Sequence, residues 1–120
     1  MADLITLLRN KQCKVKYNKE YDEKCSDEEL LENVIELNCP CNNLTSLPSL
    51  PQVQELWCEN NQLTSLPPLP LCTFLDCSKN KLTSLSPLPL CTELKCDNNP
   101  LPFSDLKSWK VAWKLSQKKN

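Results

Sequence analysis

At 120 residues, with 14 basic against 15 acidic groups, the chain is the size of one domain and nearly neutral, so no overall charge draws it to nucleic acid or a membrane. Glycine and histidine are both absent, which excludes Gly-rich phosphate loops and His-paired nucleophiles and leaves thiols and carboxylates as the metal-ligating groups. Nine cysteines, an odd number, accompany no export leader, and no apolar run reaches membrane-spanning length. Leu4–Leu8 is too short for a leader and comes after Asp3 rather than a basic stretch. Free thiols in a reducing, intracellular setting are expected.

The spacing of Leu4, Leu7 and Leu8 predicts a short helix within residues 1–12. Residues 13–24 are polar; Cys13, Val15 and Tyr17 alternate with lysines, a faint strand pattern that an irregular surface segment fits as well. Ser26-Asp27-Glu28-Glu29 reads as a capping box, with the Ser26 hydroxyl accepting from the Glu29 N–H and the Glu29 carboxylate returning to Ser26. A helix is expected from about Asp27 to Asn33, with Leu30 and Leu31 inward. Residues 1–33 as a whole are expected to form an N-terminal cap, this helix lying across the first coil of the segment that begins at Val34.

Residues 34–102 repeat. ELNCPCNNLTSLPSLP (Glu36–Pro51) is succeeded by ELWCENNQLTSLPPLP (Glu55–Pro70), FLDCSKNKLTSLSPLP (Phe74–Pro89) and a truncated ELKCDNNPL (Glu93–Leu101). Leu37, Leu56, Leu75 and Leu94 set a period of 19. Such a period means one small unit stacked on its own copies. Each copy begins as a half-buried strand, with Leu37 and Cys39 and their equivalents inward. Asn42, Asn61, Asn80 and Asn99 stand where the chain leaves the strand, placed to satisfy backbone groups of adjacent coils. The return limb, Leu-Thr-Ser-Leu-Pro-x-Leu-Pro, cannot be an ordinary helix, because proline lacks a donor and fixes φ. It is expected to be extended, with Leu47/Leu50, Leu66/Leu69 and Leu85/Leu88 inward. Ser86, which replaces a proline in the third copy, is expected to loosen that limb.

Beyond Pro100-Leu101-Pro102, Ser104 reads as a helix N-cap, and Leu106, Trp109 and Trp113 share one helical face. Residues 103–120 are therefore expected to form a C-terminal helical cap, with Lys107, Lys110, Lys114 and Lys118 on a solvated side.

The repeats resemble leucine-rich repeats of the L-x-x-L-x-L-x-x-N-x-L type. The Leu-Pro-x-Leu-Pro limb is similar to the short repeats of bacterial effectors. Cysteine at Cys39, Cys58, Cys77 and Cys96, with Leu-Thr-Ser-Leu-Pro after it, resembles repeats of marseillevirus-like giant DNA viruses. The resemblance implies an α/β solenoid: a short horseshoe segment of about four parallel strands, extended convex limbs and helical caps at both ends. It also implies a non-catalytic protein-binding module, here of viral origin, in the host cytoplasm or the virion. Effector relatives often carry a ubiquitin-ligase domain; this sequence has none, and that activity is not carried over.

Three groups of residues invite a chemical reading. The ladder cysteines, with Cys72 and Cys91, read as small apolar core groups rather than a metal or redox site; Cys13 and Cys25 are the one pair with a case for a disulfide. The exposed strand positions place Trp57 and Phe74 as neighbours amid Glu55, Asp76, Glu93 and Lys95, the composition of a protein-binding hot spot unless Tyr17 or Tyr21 covers them. Glu55, Asp76 and Glu93 have no feature that would make them an acid–base pair. No cofactor, metal, membrane or nucleic-acid partner is expected. Four strands span only about 15 Å, less than a stable interface of roughly 800 Å² per partner asks. The expectation is weak binding, several copies or self-association. An abundant self-packing structural protein is the alternative.

Overall fold

The structure, a computed structural model, describes residues 3–103 and 105–118, without the side chains of residues 112, 113 and 115–118. The N-cap expected at Ser104 and the Trp113 and Lys118 side chains lie outside the described residues.

Helix α1 (Leu4–Arg9) starts where the Asp3 carboxylate accepts from the Thr6 N–H at 2.8 Å, and it buries Leu4, Leu7 and Leu8. Strand β1 (Lys14–Tyr17) comes next, so the alternation of Val15 and Tyr17 with lysines is a true strand signal. Helix α2 (Asp27–Glu32) is capped by the Ser26 hydroxyl, which accepts from the Glu29 N–H at 3.1 Å. Only that half of the expected capping box forms, because the Glu29 carboxylate takes the Lys19 ammonium instead. Arg9 ties the two helices together, donating to the Cys25 carbonyl at 2.7 Å and to Asp27 Oδ1 at 2.9 Å.

The repeats supply β2 (Val34–Asn38), β3 (Glu55–Trp57), β4 (Phe74–Asp76) and β5 (Glu93–Lys95). These pair in parallel and in one register, Leu37 beside Leu56, Leu56 beside Leu75 and Leu75 beside Leu94. Strand β1 joins the outer edge of β2 antiparallel, giving an open five-stranded sheet in the order β1-β2-β3-β4-β5 rather than four parallel strands. The extra strand exists because residues 13–17 present Val15 to Leu37 on the inner face and leave Lys14 and Lys16 outside. At the far edge Lys95 bridges Asp105, and helix α3 (Leu106–Lys118) begins with the Asp105 carboxylate accepting from the Ser108 N–H at 2.7 Å. An open, mostly parallel sheet with extended returns fits a leucine-rich-repeat solenoid.

The limbs carry no helix between residues 44 and 53 or between 63 and 72. Each ends in a turn, with the N–H of Val53, Cys72 and Cys91 donating to the carbonyl of Leu50, Leu69 and Leu88. Leu50, Leu66, Leu69 and Leu88 are buried, while Leu47 and Leu85 are half-buried. Ser86 does not loosen its limb. Its hydroxyl donates to the Leu66 carbonyl at 3.1 Å and ties the third coil to the second.

One core runs the length of the molecule. It takes in the leucines of α1 and α2, the ladder leucines and cysteines, and Trp109 of α3, which is 5% exposed. All nine cysteines are free thiols, Cys13 and Cys25 included. Cys39, Cys58, Cys72, Cys77, Cys91 and Cys96 are buried. Burial is the main cause that lifts their thiols above the ordinary range, Cys39 and Cys72 to about 12 and Cys96 to about 11.

The asparagines complete the coil. Asn61 donates to the carbonyls of Cys39, Cys58 and Glu59 at 3.1, 3.0 and 3.3 Å, and its oxygen accepts from the N–H of Asn42 and Leu44, both at 3.0 Å. Asn80 and Asn99 repeat the carbonyl bonds one and two coils on, each accepting from a single N–H, that of Leu63 and of Leu82. One primary amide thus satisfies carbonyls of two coils and N–H groups of the preceding one, where neither sheet nor helix reaches.

Candidate functional site

Because strand side chains alternate, the residues flanking each buried leucine project from the outer face of the sheet. Glu36, Glu55, Phe74 and Glu93 make one row across β2 to β5, and Asn38, Trp57, Asp76 and Lys95 make the next. Strand β1 adds Lys16 to the first row, opposite Glu36, and Lys14 to the second, opposite Asn38.

The structure brings Trp57 and Phe74 together, with ring centroids 4.8 Å apart and planes tilted by 37°. Such offset pairs are worth about 0.5–1.5 kcal/mol beyond their buried area. Both rings are half-buried and stay open to the face. Tyr17 and Tyr21 do not cover them; they stack on each other at 5.4 Å in the N-terminal segment. The Lys95 ammonium sits over the Phe74 ring, 6.0 Å from its centroid. A shallow groove of about 250 Å³ runs from Lys14 and Val15 past Glu36 and Asn38 to Trp57.

The carboxylates crowd. Glu36 and Glu55 are register partners, and the neighbouring Glu36 carboxyl pushes Glu55 above the ordinary carboxylate range. Burial also raises it, and Lys16 opposes. Glu59 is likewise raised, first by burial and then by its neighbour Asp76. Glu59 Oε1 is buried and has no hydrogen-bond partner among the described residues. Asp76 Oδ1 accepts from the Ser78 N–H at 3.1 Å. Among the described residues the ion pairs are Arg9–Asp27 and Lys19–Glu29, so no carboxylate of the sheet face has one.

The aromatic pair and its acidic surround are readable in the sequence, since period-two alternation and the fixed repeat determine which residues are neighbours. The contribution of β1 is not, because its signal is only the spacing of Val15 and Tyr17. Nor is the buried Glu59 oxygen, which depends on how its side chain folds back. A second concavity, about 310 Å³, lies on the other side between Pro87, Leu88 and Pro89 of the third limb and Trp109, Lys110 and Lys114 of α3. Leu71 and Leu90, equivalent positions of successive limbs, are 40% and 51% exposed.

Residues 32–71 match a family model described as Leucine Rich repeats (2 copies). The match covers the first two copies and supports a leucine-rich-repeat chain, and with it a protein-interaction module. No curated protein and no solved structure matches the chain.

Proposed function

We propose that the chain is a non-catalytic protein-interaction module whose concave sheet face, formed by Glu55, Trp57, Phe74, Asp76, Glu93 and Lys95, holds a protein partner. The observation that carries this is the Trp57–Phe74 pair, left open at the centre of a polar face. Aromatic anchors ringed by polar groups carry most of the energy of known interfaces. Residues 1–33 and 103–120 serve as caps on a curved repeat segment, residues 34–102. The burial of Leu4, Leu8, Leu30 and Trp109 at its two ends supports that division. The likeness of the Cys-bearing, Leu-Pro-rich copies to marseillevirus-like repeats supports a viral protein acting on host or viral proteins in the host cytoplasm.

The test is capture of partners by the parent chain and by the Trp57→Ala, Phe74→Ala double variant, with circular dichroism as the check on folding. Loss of roughly 2 kcal/mol per anchor is expected, enough to empty the capture. Recovery of the same partners at full strength overturns the proposal. A second reading, self-association as a structural component, draws on the exposed Leu71 and Leu90. Sizing over a concentration series separates the two, because assembly without added partner favours the second.

A further inference from the structure

On the outer face Glu55 lies beside Phe74, and Trp57 lies beside Asp76. The four therefore occupy the corners of a square. The aromatic rings take one diagonal at 4.8 Å, and the two carboxylates take the other. The carboxylates thus flank the ring pair from opposite corners, one on each strand. Neither carboxylate has an ion-pair partner among the described residues. Lys95, which shares a row with Trp57, Asp76 and Lys14, is exposed and sits over the Phe74 ring at 6.0 Å.

We infer that this square receives an arginine side chain from an extended basic segment of a protein partner, stacked on Trp57 and Phe74 and held between Glu55 and Asp76. The inference rests on the reading of the sheet face as the interaction surface. Charge complementarity selects the occupant: Glu55 and Asp76 have no ion pair among the described residues, Lys16 only partly offsets Glu55, and an acidic segment lays its own charge on theirs. Arginine fits better than lysine because its guanidinium is planar, stacks on rings and can fork two oxygens, whereas an ammonium is a compact, strongly hydrated point charge. Lys95 holds the place of the incoming cation over Phe74, and it leaves when arginine binds.

The experiment titrates the full chain, by nitrogen-15 NMR, with an extended octapeptide alternating arginine and serine, and with the same peptide carrying lysine or citrulline. Citrulline keeps the shape of arginine and removes its charge. The arginine peptide is expected to shift the Trp57 indole resonance and to bind more tightly than the lysine peptide, with citrulline weaker by on the order of tenfold or more. Glu55→Gln and Asp76→Asn are each expected to weaken the arginine peptide roughly two- to fivefold, and Lys95→Gln to tighten it. Equal binding of the citrulline peptide, no binding of the arginine peptide, or an arginine affinity unmoved by Glu55→Gln and Asp76→Asn overturns the inference. If those outcomes occur while the Trp57→Ala, Phe74→Ala variant still loses protein partners, the sheet face remains an interaction surface and only the arginine assignment falls. If the arginine peptide binds that double variant undiminished, the arginine assignment falls, and the sheet face falls with it only if the variant also keeps its protein partners at full strength.

Discussion

Each coil holds a left-handed residue at one shared corner, Cys41, Asn60, Lys79 and Asn98, with φ of 58°, 58°, 56° and 58°, and the first coil adds a second at Asn43, φ 57°. A chain without glycine must fill this corner with side chains, and asparagine is the residue that tolerates it best. Lysine has no such tolerance. Lys79→Asn is therefore expected to stabilise the fold by about 1 kcal/mol, read as a higher urea midpoint. The adjacent asparagines differ from one another in worth. Asn61→Ala orphans buried groups of two coils and is expected to cost about 3 kcal/mol or more. The Asn42 side chain donates to the Pro40 carbonyl alone among the described residues, at 2.9 Å, so Asn42→Ala should cost about 1 kcal/mol. Equal losses in a denaturant series would contradict the ladder. Glu59 gives a pH signature. Its carboxyl binds a proton more tightly in the folded chain, so its contribution to stability is present below the ordinary value of 4.5 and is lost as pH rises through the raised one. Glu59→Gln keeps the neutral form, and thermal melts should show it ahead of the parent at neutral pH, with the gap closing below 4.5. The asparagine ladder could be read from the sequence because its amide, with two N–H donors and a separate acceptor oxygen on a short stem, recurs at the fixed spacing of the coils. The left-handed corner could not, because cysteine, asparagine and lysine share it.

The strands and limbs were legible for a related reason. Leucine at Leu37, Leu56, Leu75 and Leu94 and paired prolines leave few backbone choices, and their recurrence multiplies the signal. Strand β1 occurs once and pairs antiparallel with β2, so no repetition marks it. The flanking helices were legible in part. The α2 start could be read from Ser26, but the diversion of Glu29 to Lys19 is a tertiary contact that local spacing does not encode. At this scale the inner ladder of thiols makes two predictions. Reagent should modify exposed Cys41 quickly under native conditions, whereas the six buried thiols should react only as fast as the chain unfolds. A native titration with several fast sites beyond the partly exposed Cys13 and Cys25 would show that the ladder is not packed. The raised thiols also fix the alkaline limit. Their contribution to stability is complete below the ordinary value of 9.0, because unfolded thiols lose protons above it while Cys39 and Cys72 hold theirs to about 12. Melting temperature under reducing conditions should fall as pH climbs through that window.

The whole molecule measures 46 × 25 × 22 Å along its principal axes. Five strands about 4.8 Å apart make a face roughly 19 Å across, wider than four strands would give and still small for a stable partner on its own. The β1 lysines widen the outer face and make one edge of it basic, beside an acidic, aromatic centre. Exchanging them, Lys14→Glu with Lys16→Glu, is expected to alter the salt dependence of binding more than its strength, as rim charges do. Surface plasmon resonance at two ionic strengths reads both.

The uniform register of β2 through β5 has one more result. Each coil pairs with the coils beside it, and the asparagine bonds to the preceding coil's cysteine carbonyl recur at equivalent positions. An in-frame duplication of a single 19-residue unit therefore slots between two existing ones and leaves both chain ends with the neighbours they already have. A gene built this way can lengthen or shorten its product one step at a time, adding fresh outward positions at each step while reusing the same interior.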